Sequence, residues 1–319
     1  MILSSFLSSR PTQAHRSRVP KRDFLKLADL SLNELHALIE RARVLKAERD
    51  AGTLHSTLHG RTLGLVFEKA STRTKLSFEA AILQLGGHAI TLQSSESQIG
   101  RGEPVADTAR VASRYVDALM YRTFGEDRLL EFANASTVPV INGLSDGGHP
   151  VQLLADLMTV VERHGALAGR SVAWIGDGAS NMARSWIEAA GLFGFQLAIA
   201  APEGYRPSTA DLAGKSNVRL ALSPEDAATG ADVVTTDVWA SMGQEKETAA
   251  RKVAFAAYTV DSKLLRLARP TAIVLHCLPA HRGEEISAEV MEGPQSAIFD
   301  EAENRLHVQK ALLEKLLLG

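Results

Sequence analysis

The sequence predicts an α/β protein of two domains, each a mostly parallel sheet flanked by helices, with the active site in the interdomain cleft. Three observations predict it. From about residue 23 onward, short apolar runs alternate with helical stretches, the pattern of parallel strands covered on both faces. The alternation runs once, passes through one long helix, and starts again. The polar motifs sit where a strand hands over to a helix, which is where open α/β sheets bind ligands. A chain of 319 residues is long enough for two such domains, each with its own core.

In order, residues 32–46 read as an amphipathic helix, 61–68 (RTLGLVFE) as a buried strand, and 71–85 as a helix stopped by Gly86-Gly87. Residues 105–115 are helical, 118–122 (ALMYR) and 137–141 are strands, and 151–163 form a long helix ending near Gly165. The second run has strands at 171–175 (SVAWI), 196–200, 218–222, 232–236 and 272–275 (AIVL). Its helices are expected at 182–192, at 262–267 and, at the C-terminus, at 304–318, with a short helical stretch between 222 and 232. No period of repeat length recurs, which argues against a solenoid.

Composition excludes several classes. The net charge is -2 and no face or tail is strongly basic overall, so no nucleic-acid partner is expected. An anionic substrate must be held by a few placed cations. The single cysteine, Cys277, forms no internal disulfide and no zinc framework, and points to a reducing compartment. The longest apolar runs, such as 272–275, are far too short to cross a bilayer, so no membrane partner is expected. Residues 1–22 carry Arg10, Arg16, Arg18, Lys21 and Arg22 and no acidic residue. They read either as a basic tail of a cytoplasmic protein or as a presequence for the mitochondrial matrix.

Candidate site residues follow from the strand ends. Ser71, Thr72, Arg73 and Thr74 open a helix. Free N–H groups and the positive dipole end favour an anion there, and Arg73 can clamp two oxygens. One of these hydroxyls could equally serve as an ordinary N-cap. Arg122 ends the strand ALMYR. His149 precedes Pro150 at a helix start, beside the positive dipole end, which favours a neutral imidazole; a plain cap is the other reading. The loop Gly176-Asp177-Gly178 invites a dinucleotide reading, but Asn181 replaces the third glycine and no acidic residue closes the next strand. Asn181 is either an N-cap or a donor to a carboxylate. Asp237, at the end of 232–236, can pair with an ammonium group, and Ser241 adds a donor or acceptor. Cys277 alone reads as a small hydrophobe.

Longer motifs carry a resemblance. FEKASTRTKLSFE looks like the phosphate-binding signature of the aspartate and ornithine carbamoyltransferase family, with Lys75 where the family has arginine. HPVQLLADLMT matches its His-Pro-x-Gln-x-Leu-x-Asp motif, and Ser97-Gln98-Ile99-Gly100 one of its loops. DVWASMG and HCLPAHRGEEI resemble the ornithine-type members, and FDEAENRLHVQKALL the start of the last helix. The matches span residues 67–307 in family order.

The resemblance implies transfer of the carbamoyl group of carbamoyl phosphate to the δ-amine of L-ornithine, giving L-citrulline and phosphate. A carbamoyltransferase acting on putrescine or an acylated ornithine is the alternative. Ser71, Thr72, Arg73 and Thr74 would hold the phosphate. Arg122 and His149 would face the carbonyl oxygen, with Gln152, Leu278 and Arg305 near the carbamoyl amide and Cys277 beside the attacking amine. Arg73, Arg122, His149 and Cys277 are the expected catalytic residues. Asp237 and Ser241 would take the ornithine α-amino group, and Asn181 and Met242 its carboxylate. Gln98 would reach a neighbouring subunit's site in a homotrimer. The implied domains are a carbamoyl phosphate-binding domain over 23–160, an ornithine-binding domain over 161–304, and a C-terminal helix, 305–319, packing back on the first. No cofactor and no metal are expected.

Overall fold

The computed structural model describes residues 20–240 and 247–319, so the expectations for residues 1–19, Ser241 and Met242 lie outside the described residues. The first half runs α1 (Leu32–Asp50), β1 (Thr62–Phe67), α2 (Thr72–Gln84), β2 (His88–Gln93), α3 (Val105–Ala112), β3 (Ala118–Arg122), α4 (Glu126–Ala135), β4 (Val140–Leu144) and α5 (Pro150–His164). The second half continues with β5 (Ser171–Ile175), α6 (Asn181–Phe193), β6 (Gln196–Ala200), α7 (Thr209–Leu212), β7 (Val218–Leu220), α8 (Pro224–Ala228) and β8 (Val233–Thr236). It closes with α9 (Thr248–Phe255), α10 (Ser262–Leu265), β9 (Ile273–His276), α11 (Ala288–Met291) and α12 (Ile298–Leu318).

Two parallel sheets result, ordered β2-β1-β3-β4 and β7-β6-β5-β8-β9. In the first, the order reverses between β1 and β3; in the second, between β5 and β8. Those are the switch points at which a crevice opens beyond the strand ends. The loops leaving β1, β3, β5 and β8 therefore meet the same space. The inner strands are buried on both faces because helices cover them: Ala118 to Tyr121 of β3 and Val233 to Val234 of β8 are fully buried, with polar residues only toward the strand ends, Arg122 and Thr235-Thr236.

Local chemistry sets the helix ends. Ser31 caps α1 in a reciprocal box with Glu34. Pro150 opens α5 where its missing N–H costs nothing, and Gly165, at φ +79°, stops that helix. Helix α12 packs against α1, α2 and α5, with Val308, Leu312 and Leu313 fully buried among them. Burying one such side chain is worth about 1.5–3 kcal/mol.

Several elements differ from expectation. Strand β2 and helix α4 were not anticipated. β2 is an edge strand whose outward residues include the apolar Ile90 and Leu92 while Ala89, Thr91 and Gln93 are half-buried, so it lacks the inward-apolar alternation that marks a strand. The strand expected at 137–141 is β4, displaced to Val140–Leu144 and paired at its start to Asp23, whose carboxylate accepts from Val140 N–H at 2.8 Å. Helix α12 begins at Ile298, earlier than residue 304. The basic N-terminal stretch is docked at its end: Lys21 donates to the Ala133 carbonyl and Arg22 pairs with Glu34. No helix among the described residues is long and apolar enough to cross a membrane.

Candidate active site

A cleft of about 780 Å³ lies where the two sets of strand ends face each other. From the first sheet it receives Ser71, Thr72, Arg73, Arg122 and His149; from the second, Asn181, Asp237, Cys277 and Leu278; from α12, Arg305. Thr74 and Gln152 lie just behind this surface, and Gln98 is exposed and outside it.

On the first-sheet side, Ser71 caps α2, its hydroxyl accepting from Thr74 N–H at 3.3 Å. The capping reading is thus realised at Ser71, which leaves Thr72 and Arg73 facing the cleft. The buried Thr74 hydroxyl accepts from Arg305 Nη2 at 2.8 Å and from Arg122 Nη1 at 3.4 Å. Arg122 also reaches the Gly143 carbonyl at 3.4 Å. Between Tyr121 and Arg122 the β3–β4 register shifts: Tyr121 pairs with Asn142 but Arg122 with Leu144. Such a bulge re-aims the side chain that follows it, and Arg122 turns toward the cleft. Gly143 permits the bulge, since a Cβ there would meet Met120 Sδ at 2.1 Å.

Arg73, Arg122 and Arg305 form no ion pair among the described residues, although two of them are almost fully buried. Burial and the neighbouring guanidinium charges lower Arg122 and Arg305 to about 10, so both remain protonated at neutral pH. Burial, then Arg305, Arg122 and Arg73, push His149 well below the usual histidine range. It is a neutral imidazole whose buried Nδ1 has no partner in the protein. Three guanidiniums with no carboxylate in direct contact among the described residues, aimed at one space beside a helix N-terminus, make a site for a multiply charged anion.

The second-sheet side is different in kind. Cys277 donates its S–H to Asp237 Oδ1 at 3.1 Å. Burial, then the Asp237 charge, raises the thiol well above its usual value, so it stays protonated. Burial likewise raises the Asp237 carboxyl. Behind them His276 accepts from Leu278 N–H at its Nδ1 (2.9 Å), which leaves Nε2 as the donor to Glu285 at 3.0 Å. That pair holds Leu278 at φ +57°; Leu144, on the opposite wall, lies at φ 153°. Two non-glycine residues in this region on facing walls of one cleft are the kind of strain that surrounding structure must enforce. Asp237, His276 and Cys277 also offer ligand atoms within 4.8 Å of one another.

Of the two readings of Asn181 the capping one is not realised, and Gln152 departs from expectation. The α6 N-cap is Ser180, not Asn181; Asn181 lines the cleft and donates to the Ser145 carbonyl of the other half at 3.1 Å. Gln152 was expected at the carbamoyl amide, but its groups are engaged inside the protein: Oε1 accepts from Arg305, and Nε2 donates to Asp156 and Glu301. Sequence reasoning missed Arg251. It lines the cleft, pairs with Asp177 at 2.7 Å and donates to the Trp239 carbonyl at 2.9 Å. It tethers the loop after β8 to the loop after β5. The acidic residue inside the Gly-Asp-Gly turn was the available signal that a cation had to meet it.

The family model described as the carbamoyl-P binding domain of aspartate/ornithine carbamoyltransferase matches residues 22–162, and that of the Asp/Orn binding domain matches residues 168–316. An ornithine carbamoyltransferase of Halorhodospira halophila is 60% identical over 93% of this chain and 99% of its own length. The crystal structure of ornithine carbamoyltransferase from Burkholderia thailandensis superposes with a TM-score of 0.86 at 48% identity, covering 93% of this chain and 99% of that one. The ornithine carbamoyltransferase from Pyrococcus furiosus gives 0.89 at 44% identity, with 95% and 99% covered.

Proposed function

The chain belongs to the aspartate/ornithine carbamoyltransferase family, and we propose that it transfers the carbamoyl group of carbamoyl phosphate to the δ-amine of L-ornithine, giving L-citrulline and phosphate. The observation that carries this reading is the division of the cleft: three unpaired arginines and a neutral histidine face a buried carboxyl and a protonated thiol. The first wall suits a phosphate dianion and a developing oxyanion, the second an amino-acid amine.

In this reading Ser71–Thr74 and Arg73 hold the phosphate at the start of α2. Arg122, His149 and Arg305 polarise the carbonyl oxygen. The δ-amine must attack as the free base, although its pKa in water lies near that of lysine, roughly 10.4. Cationic neighbours disfavour the ammonium form, and Asp237 and Cys277 orient the substrate without a covalent intermediate. The nitrogen lone pair forms the new C–N bond while the carbonyl electrons move to oxygen. Each donor aimed at that oxygen is typically worth ~3 kcal/mol. The oxyanion then re-forms the carbonyl as the bond from the carbonyl carbon to the phosphate oxygen breaks; the electron pair leaves with phosphate, which takes up the proton shed by the nitrogen and whose charge the arginines neutralise. Holding two substrates in line, by closure of the two halves, supplies much of the rest. Asn181, Ser241 and Met242 would bind the ornithine carboxylate and α-amino ends. Gln152 acts in this scheme through Arg305, which it holds.

We also assign the carbamoyl phosphate-binding domain to residues 23–160, the ornithine-binding domain to 161–304, and the return of 305–319 to the first; the packing of α12 on α1, α2 and α5 supports that return. A homotrimer in which Gln98 serves a neighbour is supported by its exposure on this chain and by the outward-facing Leu76, Leu83, Ile90 and Leu92 of α2 and β2. We place the reaction in the cytoplasm, since one cysteine provides no disulfide. The deciding experiment is citrulline formation by the purified protein from carbamoyl phosphate and ornithine, run beside putrescine and an acylated ornithine. Absence of citrulline, or a preference for either rival amine, rejects the assignment.

A further inference from the structure

Below the cleft floor, where α5, α12 and β9 meet, two carboxyl groups that the proposed chemistry does not use lie against each other. Asp156 on α5 and Glu301 on α12 are each 1% exposed and are gripped by one amide nitrogen, that of Gln152. Gln152 spans them. One N–H of its amide goes to Asp156 Oδ1 at 2.8 Å and the other to Glu301 Oε1 at 2.7 Å. Its oxygen accepts from Arg305 Nη1 at 3.0 Å, and Arg305 Nη2 continues to Thr74. The second oxygen of Glu301 accepts from His276 N–H at 2.9 Å, at the last residue of β9 before Cys277. One chain of buried contacts thus runs from the start of α2, through Arg305 and Gln152, to the strand end that carries Cys277 and Leu278.

Charge and geometry together set the proton count. Two buried carboxyl groups held by the same amide nitrogen, with Arg305 as the one cation bonded to that amide, are too close for both to ionise, so one of them keeps its proton. A single negative charge then remains to balance Arg305, whereas two would leave an unpaired buried anion. Burial raises both groups, Asp156 to about 7 and Glu301 well above the usual carboxylate range; the Asp156 charge raises Glu301 further, while Glu301, Gln152 and Arg305 hold Asp156 down.

We propose that Asp156 and Glu301 act as a positioning pair that holds one proton between them and fixes Gln152, Arg305 and the Cys277–Leu278 strand end as a single unit. The proposal rests on the carbamoyl-transfer reading for its consequence in turnover, but not for its proton.

Asp156→Asn conserves the arrangement: its oxygen still accepts from Gln152, its NH2 replaces the shared proton, and Glu301 keeps the one negative charge. Asp156→Asn/Glu301→Gln keeps the shapes but removes that charge from beside Arg305 and, because glutamine has one acceptor where Glu301 uses two, one of the contacts from Gln152 and His276. The single variant is expected to lose less than about 10-fold in kcat and the double about 100-fold or more, the range for displaced supporting and reacting groups. The double variant should also raise KM for carbamoyl phosphate more than KM for ornithine, since Arg305 stands on the phosphate side, a split that partial unfolding does not produce. Independently of activity, the infrared difference between wild type and Glu301→Gln at neutral pH should show loss of one protonated-carboxyl carbonyl band, because Asp156 ionises once its partner is neutral. The proposal is overturned if the single variant is as impaired as the double, if the double keeps the activity of the single, or if no carboxylic acid band disappears. Should the wild type make no citrulline, the function fails while the infrared result still decides the pair.

Discussion

Thr74→Val tests whether one hydroxyl holds the cationic wall in place. Thr74 is fully buried, and its Oγ1 is the common acceptor for Arg305 at 2.8 Å and Arg122 at 3.4 Å. Valine has nearly the same volume and the same branched Cβ, so α2 and its packing survive while the acceptor is lost. The contact to Arg122 lies at the outer limit of a hydrogen bond and contributes little. The contact to Arg305 is short and charged, of the kind worth about 1.5–3 kcal/mol. Taking ~2 kcal/mol, and 1.36 kcal/mol per factor of ten, kcat/KM for carbamoyl phosphate should fall about 30-fold. Thr74→Ser, which restores the oxygen and drops only a methyl group, should recover most of it. Steady-state citrulline formation at varied carbamoyl phosphate and saturating ornithine gives the number. Equal values for wild type and Thr74→Val, or equal damage from serine and valine, would refute the claim that the hydroxyl positions the guanidiniums.

Two further outcomes follow from buried features elsewhere. Gly143→Ala forces a Cβ to within 2.1 Å of Met120 Sδ and 3.4 Å of Arg122 Cβ; overpacking of this kind costs about 1–3 kcal/mol, so both the thermal midpoint and kcat should drop, and a variant unchanged in both shows the bulge to be dispensable. His307 on α12 has both ring nitrogens buried without a hydrogen-bond partner, Glu303 standing 3.8 Å from Nε2, and burial, then Lys310, Lys46 and Arg49, lowers it to about 3. As pH falls below the unfolded value of roughly 6.5, the unfolded chain takes up a proton that the folded one refuses until about 3, so stability is lost over that window. His307→Leu should therefore lose less stability than wild type in urea titrations between those limits; parallel curves would contradict a neutral His307.

Much of the fold was legible because strand, helix and cap signals are local. The inner strands announce themselves as apolar runs, and α5 and α6 by Pro150 and by the Ser180–Asn181 start. Half-exposed β2 escaped because its outward residues include the apolar Ile90 and Leu92. The start of α12 was read late because its first turns carry Asp300, Glu301 and Glu303, charges that look like surface until the seam that buries Glu301 is known. At the site, the strand-end rule and the motifs indicated Ser71 to Thr74, Arg122, His149, Asn181, Asp237 and Cys277. Arg251 was signalled only by its partner Asp177, 74 positions away in the Gly-Asp-Gly turn, and nothing local showed that Gln152 would be consumed by Asp156, Glu301 and Arg305.

From the amino-acid order alone come the alternation of elements, the places where helices begin and end, and the kinds of side chain carried at strand ends, since each depends on residues within a turn or two of one another. Which of those side chains meet is a tertiary outcome. Gln152 and Glu301 stand 149 positions apart, and only the docking of α12 between the two halves brings them together. The bulge that turns Arg122, the lowered basicity of the arginines and His149, and the proton shared below the cleft all arise from burial and from charges delivered by distant segments, and neither burial nor distance is written in local spacing.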